Sequence, residues 1–236
     1  MKYITVDTYE ELSKRGAWII ASQVIQKPNC VLGLATGSSP LGIYRHLAEM
    51  NKNGEVDFSD VTTVNLDEYV GLEPTHEQSY RRFMDDHLFS KINIDKNRTH
   101  VPNGMVANLI NEGLQYDEKI ESLGGIDLQL LGIGVDGHIG FNEPDSVFTP
   151  QTHPVDLDES TIDANSRFFD TRNDVPRQAI TMGMRSIMQA KKILLIANGE
   201  SKRKILEKAV RHPIDPRLPA SILQLHPDVT VIFSRN

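Results

Sequence analysis

One short run of the chain combines the residue types that acid–base catalysis needs. Residues 132–144 read GIGVDGHIGFNEP and contain two carboxylates and an imidazole, Asp136, His138 and Glu143. A neutral imidazole accepts and donates protons near neutral pH, and neighbouring carboxylates orient it and stabilise its charged form. The apolar run IDLQLL at 126–131 precedes this loop and predicts a buried strand. The loop is therefore expected at the carboxyl end of a strand, where open α/β sheets bind ligands.

A second run has the composition of an anion-binding loop. Residues 36–40 read TGSSP and follow another apolar run. Gly37 allows the backbone to approach an anion closely, Ser38 and Ser39 add hydroxyl donors, and Pro40 suits a first helical turn. The run matches neither a Walker loop nor a GxGxxG fingerprint, so it predicts neither ATP nor a dinucleotide. An ordinary helix cap would have the same composition.

Two adjacent carboxylates, Asp67 and Glu68, end a third apolar run. Adjacent side chains on an extended chain face opposite ways, so at most one of them points into a given site. A helix cap or a solvated strand end is the alternative. The basic run at 202–204, which begins with Lys202, is either a phosphate-binding cluster or an exposed helix face.

The pattern of the whole chain predicts an α/β fold, a Rossmann-like three-layer sandwich with a largely parallel central sheet. Continuously apolar runs predict strands at 3–5, 31–35, 61–65, 126–131, 179–182, 192–197 and 229–233. Helical spacing predicts a helix after a capping box of Asp7 and Glu10, and further helices near 40–52, 77–90, 107–123 and 200–211. The loops after residues 35, 66, 131 and 197 should then open on one edge of the sheet.

We interpret residues 1–236 as a single catalytic α/β domain. Residues 145–177 interrupt the alternation of strands and helices, because they contain several prolines and show little periodicity. A long insertion directly after a candidate catalytic loop predicts a lid over the site. A surface excursion without a gating role is the alternative.

Composition excludes some classes of partner. The formal net charge of −7 argues against binding to nucleic acid or to anionic membranes, although a local cationic cluster can still hold one phosphate. The one cysteine, Cys30, excludes an internal disulfide and a thiolate metal cluster. We find no run of signal-peptide or membrane-spanning length, so we expect a cytoplasmic protein.

Four segments together resemble the glucosamine-6-phosphate deaminase family. They are NLDEY at 65–69, ANSRFF at 164–169, TGSSP at 36–40 and the run at 132–144, of which DGHIGFNEP is the specific core. The resemblance covers nearly the whole chain. It implies conversion of D-glucosamine 6-phosphate and water to D-fructose 6-phosphate and ammonia, without a metal, nicotinamide or pyridoxal cofactor. It also implies a Rossmann-like sheet shared with the 6-phosphogluconolactonases.

The resemblance assigns roles to the candidate catalytic residues. Asp67 would be the base that takes the C2 proton and returns one at C1, with Glu68 structural. His138 would shuttle the proton that opens the sugar ring, with Asp136 and Glu143 beside it.

The resemblance also implies a set of phosphate ligands. By family position, Arg167 from the predicted lid and Lys202 at the start of a helix would bind the substrate phosphate. The backbone amides of Gly37, Ser38 and Ser39 would face the same phosphate. Closure of the lid would then be coupled to phosphate binding.

The chain departs from the longer, hexameric members of this family in two places. It ends at Asn236, soon after the last predicted strand, and residues 152–156 read THPVD where the allosteric pocket of those proteins carries basic residues. We therefore expect hyperbolic kinetics without activation by N-acetylglucosamine 6-phosphate, and a monomer or small homo-oligomer.

Three alternatives remain from the sequence. A 6-phosphogluconolactonase also uses an Asp-Gly-His loop, but the FNEP run at 141–144 and the NLDEY run at 65–69 favour the deaminase. A noncatalytic sugar-phosphate sensor would have no use for a full acid–base set. A metal hydrolase on Asp136 and His138 would need a third and a fourth ligand, which no recognisable spacing provides, so we predict no metal.

Overall fold

Ten strands occur in the part of the chain that this computed structural model describes, which is residues 1–159, 162–163, 166, 169 and 171–236. In chain order they are β1 (Lys2–Val6), β2 (Val31–Leu34), β3 (Thr62–Asn65), β4 (Asp67–Tyr69), β5 (Thr99–His100), β6 (Leu128–Leu131), β7 (His153–Asp156), β8 (Gln178–Thr181), β9 (Ile193–Asn198) and β10 (Val229–Ser234).

Seven of these strands form the central sheet, in the order β1-β10-β9-β6-β2-β3-β5. Every neighbouring pair in this sheet is parallel. The chain runs outward from β2 to β3 and β5, and then from β6 to β9 and β10 on the other side. A crevice at the carboxyl edge between β2 and β6 is where a sheet with this order binds ligands.

Six α-helices flank the sheet in the described chain. They are α1 (Tyr9–Gln26), α2 (Leu41–Lys52), α3 (Tyr80–Met84), α4 (Leu109–Ser122), α5 (Met184–Met188) and α6 (Glu200–Arg211). A π-helical turn, Asp85–Phe89, extends α3, and a 3-10 helix, Pro219–Leu225, packs against α6. The predicted three-layer α/β architecture and the predicted helices are confirmed. None of the described helices is both long enough and apolar enough to cross a membrane.

The cap of α1 lies one residue later than we predicted. The hydroxyl of Thr8 accepts a hydrogen bond from the backbone N–H of Glu11, and the Glu11 carboxylate accepts one from the N–H of Asp7. The predicted box of Asp7 and Glu10 is therefore wrong. Glu10 lies on the helix surface instead, where its carboxylate contacts Arg45 and lies 2.9 Å from His46 Nε2.

The apolar run at 179–182 forms a strand, β8, but this strand does not join the parallel sheet. It pairs antiparallel with β4 and β7 in a second, three-stranded sheet. β8 is buried from Ala179 to Thr181 because it is the central strand of that sheet. The register places Thr181 opposite Asp67, so the small sheet carries a candidate catalytic residue.

The segment predicted as a lid packs on a second apolar cluster. This cluster contains Tyr69, Phe141, Leu157, Ile162, Val175 and Ala179, with Phe169 partly buried against it. Residues 145–177 are not irregular throughout, because they include β7 and a 3-10 helix, Arg172–Asp174. Arg167, which the sequence analysis placed on this segment, lies outside the described residues.

Candidate active site

Four loops meet at the carboxyl edge of the central sheet. They follow β2, β3, β6 and β9, which are neighbours in the order β9-β6-β2-β3. The pairing of Leu34 with Asn65, and of Leu131 with Leu195, brings the ends of these parallel strands side by side. The convergence predicted from the sequence is thus present in the backbone.

The loop after β6 folds His138 back against two carboxylates. The Nδ1 atom of His138 lies 2.8 Å from Asp136 Oδ1 and 3.2 Å from Glu143 Oε2. Gly134 makes this turn possible, because a Cβ atom there would lie 2.4 Å from His138 Nδ1. The three side chains that the sequence analysis singled out therefore form one acid–base cluster, in which Nε2 is the nitrogen left for a substrate.

Charge in this cluster favours the protonated imidazole. Burial lowers the pKa of His138, but the adjacent carboxylates of Asp136 and Glu143 outweigh it and raise that pKa to about 9. Burial raises the pKa of Asp136, but contact with His138 brings it well below its usual range. The charged form that the sequence analysis expected these carboxylates to stabilise is therefore the favoured form at neutral pH.

Asp67 has the opposite environment. It is buried on β4, where burial and the neighbouring charge of Glu68 raise its pKa to about 7, with His138 partly offsetting them. The loop that carries His138 passes close to it, because a Cβ atom on Gly140 would lie 3.6 Å from Asp67 Oδ2. A carboxylate in this state both removes and returns protons near neutral pH.

Glu68 is oriented away from this chemistry, as adjacent strand residues must be. Its carboxylate accepts hydrogen bonds from the backbone N–H groups of Tyr69, Tyr80 and Arg81, at 2.8, 2.8 and 2.9 Å. Burial raises the pKa of Glu68, and these three bonds offset part of the rise. The contacts support the structural role expected for Glu68, which fixes the start of α3 to β4.

Side chains that the sequence did not single out hold the two loops together. The backbone N–H of Phe141 donates to Thr181 Oγ1 at 3.0 Å, and Asn142 Nδ2 donates to the carbonyls of Ile139 and Met182 at 3.0 and 2.9 Å. Because Thr181 also pairs with Asp67 across the small sheet, it connects the two candidate catalytic loops. No local pattern in the sequence could identify this contact.

Two buried tyrosines fix the strand ends from which the loops begin. The hydroxyl of Tyr44 donates a hydrogen bond to the carbonyl of Ala35, which directly precedes the TGSSP loop. Tyr116 donates to the carbonyl of Asn65 at 2.8 Å, two residues before Asp67. Both bonds satisfy carbonyl groups that the end of a strand would otherwise leave unpaired.

The predicted phosphate loop has the expected backbone, and Tyr9 holds it from behind. Gly37 adopts a φ of +85°, a conformation that favours glycine. In the described chain, the position that a Cβ atom would occupy there is open space. The Tyr9 hydroxyl lies 3.1 and 3.0 Å from the carbonyls of Ser38 and Ser39, and it accepts a bond from the N–H of Gly42. The two loop carbonyls therefore face Tyr9, on the side away from an anion.

Lys202 lies in the first turn of α6, after a tight turn at Gly199. Its side chain is half-buried, and burial lowers its pKa while the charge of Asp136 offsets part of that effect. Lys202 is thus within electrostatic reach of the acid–base cluster. Whether Arg167 joins it lies outside the described residues.

An aromatic side chain that we did not predict, Tyr80, connects three of the loops. Its hydroxyl is hydrogen-bonded to Thr36 and Tyr69. Its ring stacks on Phe141 with centroids 6.0 Å apart and an interplanar angle of 9°. Tyr80 therefore contacts the TGSSP loop, the Asp67 strand and the His138 loop at once.

The acid–base cluster also has the donor atoms of a metal site. One ligand atom each from Asp136, His138 and Glu143 lies within 4.8 Å of the others, so the sequence argument that no third ligand is available is wrong. A metal ion needs an unprotonated ring nitrogen. With a pKa of about 9, the His138 ring keeps its proton at neutral pH. At neutral pH, a metal ion at this cluster would therefore have to displace the proton of the His138 ring.

Comparison with known proteins gives close and distant matches. The model of a family described as glucosamine-6-phosphate isomerases/6-phosphogluconolactonase matches residues 6–232. A protein of Lachnoclostridium phytofermentans named glucosamine-6-phosphate deaminase is 61% identical, over 98% of each chain. One of Thermoanaerobacter pseudethanolicus with the same name is 54% identical, over 100% of this chain and 93% of that protein.

Solved structures also include a close match and a distant one. A monomeric glucosamine-6-phosphate deaminase superposes with a TM-score of 0.97 and 45% identity, covering 100% of this chain and 98% of the other. A 6-phosphogluconolactonase from Shewanella baltica superposes with a TM-score of 0.78 but only 21% identity, covering 100% of this chain and 98% of that one. The second likeness is one of fold alone.

Proposed function

Since the chain belongs to the family of glucosamine-6-phosphate isomerases and 6-phosphogluconolactonases, we propose that it is a glucosamine-6-phosphate deaminase. It converts D-glucosamine 6-phosphate and water to D-fructose 6-phosphate and ammonia, a step of amino-sugar catabolism. The full-length relatives with this name support the activity. Lactonases share the fold at about 20% identity, and hydrolysis of a lactone needs no base that acts at carbon.

One observation carries the proposal at the level of chemistry. A buried carboxylate with a pKa of about 7, Asp67, lies next to a loop that holds an imidazolium, His138. An aldose–ketose isomerisation needs a base that removes a proton from C2 and a separate group that opens the ring. The two sites have separate loops and different protonation states, as this division of labour requires.

Ring opening is the first step, and we assign it to His138. The imidazolium donates a proton to the ring oxygen, and the neutral imidazole then takes the proton of the anomeric hydroxyl. The bond between C1 and the ring oxygen breaks while the aldehyde forms. Asp136 and Glu143 keep the ring in place and favour its return to the charged form.

Asp67 then acts on the open chain. Its ionised carboxylate takes the proton from C2, the electron pair of that bond forms the C1–C2 double bond, and the C1 oxygen becomes a hydroxyl by taking a proton from water. Asp67 then returns its proton to C1, and the nitrogen gives up one proton to the solvent, which converts this enamine to an imine at C2. Water adds to the imine and ammonia leaves, which gives D-fructose 6-phosphate.

The substrate phosphate is the proposed anchor. The amides of Gly37, Ser38 and Ser39 surround it, Lys202 adds a point charge, and Arg167 supplies a second cation from the segment at 145–177, which acts as a lid. The open backbone at Gly37 and the half-buried Lys202 support this assignment. The place of Arg167 rests on its family position alone.

The finer properties of the enzyme are part of the proposal. Residues 152–156 carry no lysine or arginine, so we propose hyperbolic kinetics without activation by N-acetylglucosamine 6-phosphate at that segment. A similar solved structure is described as monomeric, which supports a monomer or small homo-oligomer here. We place the enzyme in the cytoplasm, and we propose that it needs no metal or organic cofactor.

The decisive assay follows both products. The purified protein is incubated with D-glucosamine 6-phosphate, with and without EDTA, while ammonia and fructose 6-phosphate are measured in the same sample. We expect equal amounts of the two products and no effect of EDTA. Hydrolysis of 6-phosphogluconolactone without either product would replace the deaminase by the lactonase.

A further inference from the structure

A cleft lies on the outer side of α2, away from the acid–base cluster. It has a volume of about 600 Å³ and runs between α2 and the turn at Asp85–Phe89. Leu41 and Ala48 form an apolar floor, and Arg45, Lys52, His87 and Lys91 line the rim. This size and this mixture of apolar and polar groups are typical of small-molecule sites.

The rim carries positive charge that the protein does not neutralise. The ammonium groups of Lys52 and Lys91 form no hydrogen bond or ion pair with another described residue, whereas Arg45 contacts Glu10. Glu49 is the one carboxylate among the lining residues, and it lies 3.5 Å from His46 Nδ1. Two ammonium groups without a partner in the described chain therefore line the same cleft.

His87 adds a neutral hydrogen-bonding group to the rim. Burial lowers its pKa, the nearby ammonium of Lys91 lowers it further, and Asp86 offsets part of the change. At neutral pH His87 therefore offers a neutral ring N–H beside a lysine. An anion with several acceptor oxygens would satisfy both groups.

A second basic cleft differs, because carboxylates of the protein neutralise most of its positive charge. It has a volume of about 500 Å³ and is lined by Arg203, Arg211 and Arg235. There, Arg203 contacts Glu200 and Glu207 at 3.1 and 3.2 Å, and Arg235 contacts Asp7 at 2.7 Å. Its charges are largely paired within the protein, whereas those of Lys52 and Lys91 are not.

Tyr9 connects the cleft at α2 to the phosphate loop. It lines the cleft, and its hydroxyl contacts the carbonyls of Ser38 and Ser39 and the N–H of Gly42. A group that packs in the cleft therefore contacts the residue that holds the TGSSP loop from behind.

We propose that this cleft is a second ligand site, which binds a small organic phosphate. The phosphoryl group pairs with Lys52 and Lys91, and the apolar part packs on Leu41 and Ala48. The bound ligand then alters the TGSSP loop through Tyr9, and the importance of that effect for catalysis rests on the proposed function.

Binding is tested with phenyl phosphate, which combines a phosphoryl group with an apolar ring. Backbone amide resonances of Leu41, Gly42 and Ala48 are followed by NMR during a titration of the whole protein. We expect saturable shifts, and at least about a tenfold weaker Kd in a K52Q/K91Q double variant, since both charged contacts are lost. The matched variant R203Q, in the other basic cleft, should bind as the wild type does.

Binding at the catalytic site is separated by a K202Q variant, in which the shifts around Ala48 should persist. The proposal is overturned if these shifts do not saturate, if K52Q/K91Q leaves the Kd unchanged, or if phenol causes the same shifts as phenyl phosphate.

The connection through Tyr9 has its own readout. In the K202Q variant, phenyl phosphate should shift the amides of residues 37–39, and the added Y9F substitution should abolish that shift while Ala48 still responds. Persistence of the loop shift in Y9F would refute the role of Tyr9. None of these signals depends on turnover, so an inactive deaminase would leave this test intact.

Discussion

The segments that follow β3 and β6 each carry a candidate catalytic aspartate, Asp67 on β4 and Asp136 in a loop. The environments of these two side chains differ. Burial raises the pKa of both carboxyls. Asp136 lies 2.8 Å from a histidine nitrogen, and this contact brings its pKa below its usual range. Asp67 is more deeply buried and has a carboxylate, Glu68, as its neighbour, and its pKa rises to about 7. Deeper burial and a neighbouring anion at Asp67, against a neighbouring cation at Asp136, separate the two.

This difference in pKa supports the separate roles proposed for Asp67 and Asp136. A carboxylate that is ionised at all working pH values is suited to stabilise a cation, whereas one that titrates near neutrality is suited to exchange protons. The two loops contact each other through Gly140 and Thr181. Under the proposed function, both groups act on one substrate without sharing one task.

Removing the base should have the largest effect. Asp67→Asn preserves the shape of the side chain but cannot accept the C2 proton, so we expect kcat to fall by about 10³-fold or more. Exchange of the C2 proton with heavy water, measured by NMR, should also stop. The exposed Asp60→Asn is the control. Normal exchange in Asp67→Asn would mean that another residue is the base.

Removing the ring-opening group should have a smaller and more selective effect. We expect His138→Gln to lower kcat by about 10²-fold with the cyclic substrate, because only ring opening loses its proton donor. An open-chain analogue should lose much less. Equal losses with both substrates, measured by steady-state kinetics, would place His138 in the carbon chemistry.

Asp67 also makes stability depend on pH. Its pKa of about 7 lies above the ordinary value of 3.8, so the folded state binds the extra proton between these values and loses stability as pH rises through 7. Asp67→Asn removes this cost. Relative to the wild type, we expect the variant to gain about 2 kcal/mol of unfolding free energy between pH 5 and pH 8.

Denaturant unfolding at the two pH values measures this gain. Asp60→Asn, on the surface, should show the same pH dependence as the wild type. A parallel pH dependence in Asp67→Asn and the wild type would mean that Asp67 titrates normally.

Asp136→Asn tests the other half of the comparison. It removes one of the two anions that hold the proton on His138, so we expect the pKa of His138 to fall from about 9 toward its usual value, by about one unit. The ring resonances of His138, followed by NMR against pH, report this value. No change would mean that Glu143 alone holds the proton.

Tyr80→Phe should have the smallest effect. The variant retains the ring that stacks on Phe141 and loses the hydroxyl contacts to Thr36 and Tyr69. We expect about a fivefold change, mostly in KM, because a neutral hydrogen bond contributes about 1 kcal/mol. Tyr3→Phe, at an exposed position on β1, is the control. A loss confined to kcat would argue against positioning of the phosphate loop.

Much of the fold was predictable because its signals are local. The central strands are continuous apolar runs, and the helices have clear periodicity. The strands that were missed, β4, β5 and β7, contain two to four residues each and are partly polar. Such short strands exist because of their partners in space, which no local pattern reports.

The candidate site also has features that the sequence predicts and features that depend on contacts between distant segments. Asp67, Asp136, His138 and Glu143 were singled out from residue type and from a family resemblance, and three of them form one cluster as expected. The sequence indicated that these carboxylates stabilise the charged imidazole. It did not show that both meet the same ring nitrogen, because that depends on how a loop folds five further residues back onto the ring. Thr181 and Tyr80 were missed for the same reason, since their contacts join segments far apart in the chain.

Carbon-detected NMR of the Asp67 and Asp136 carboxyl groups, titrated from pH 2 to pH 9 in the wild-type protein, measures the contrast between the two loops directly. We expect Asp67 to titrate near pH 7 and Asp136 to remain ionised to well below pH 3.8. Titration of both groups together near pH 4 would contradict the division of labour between the two loops.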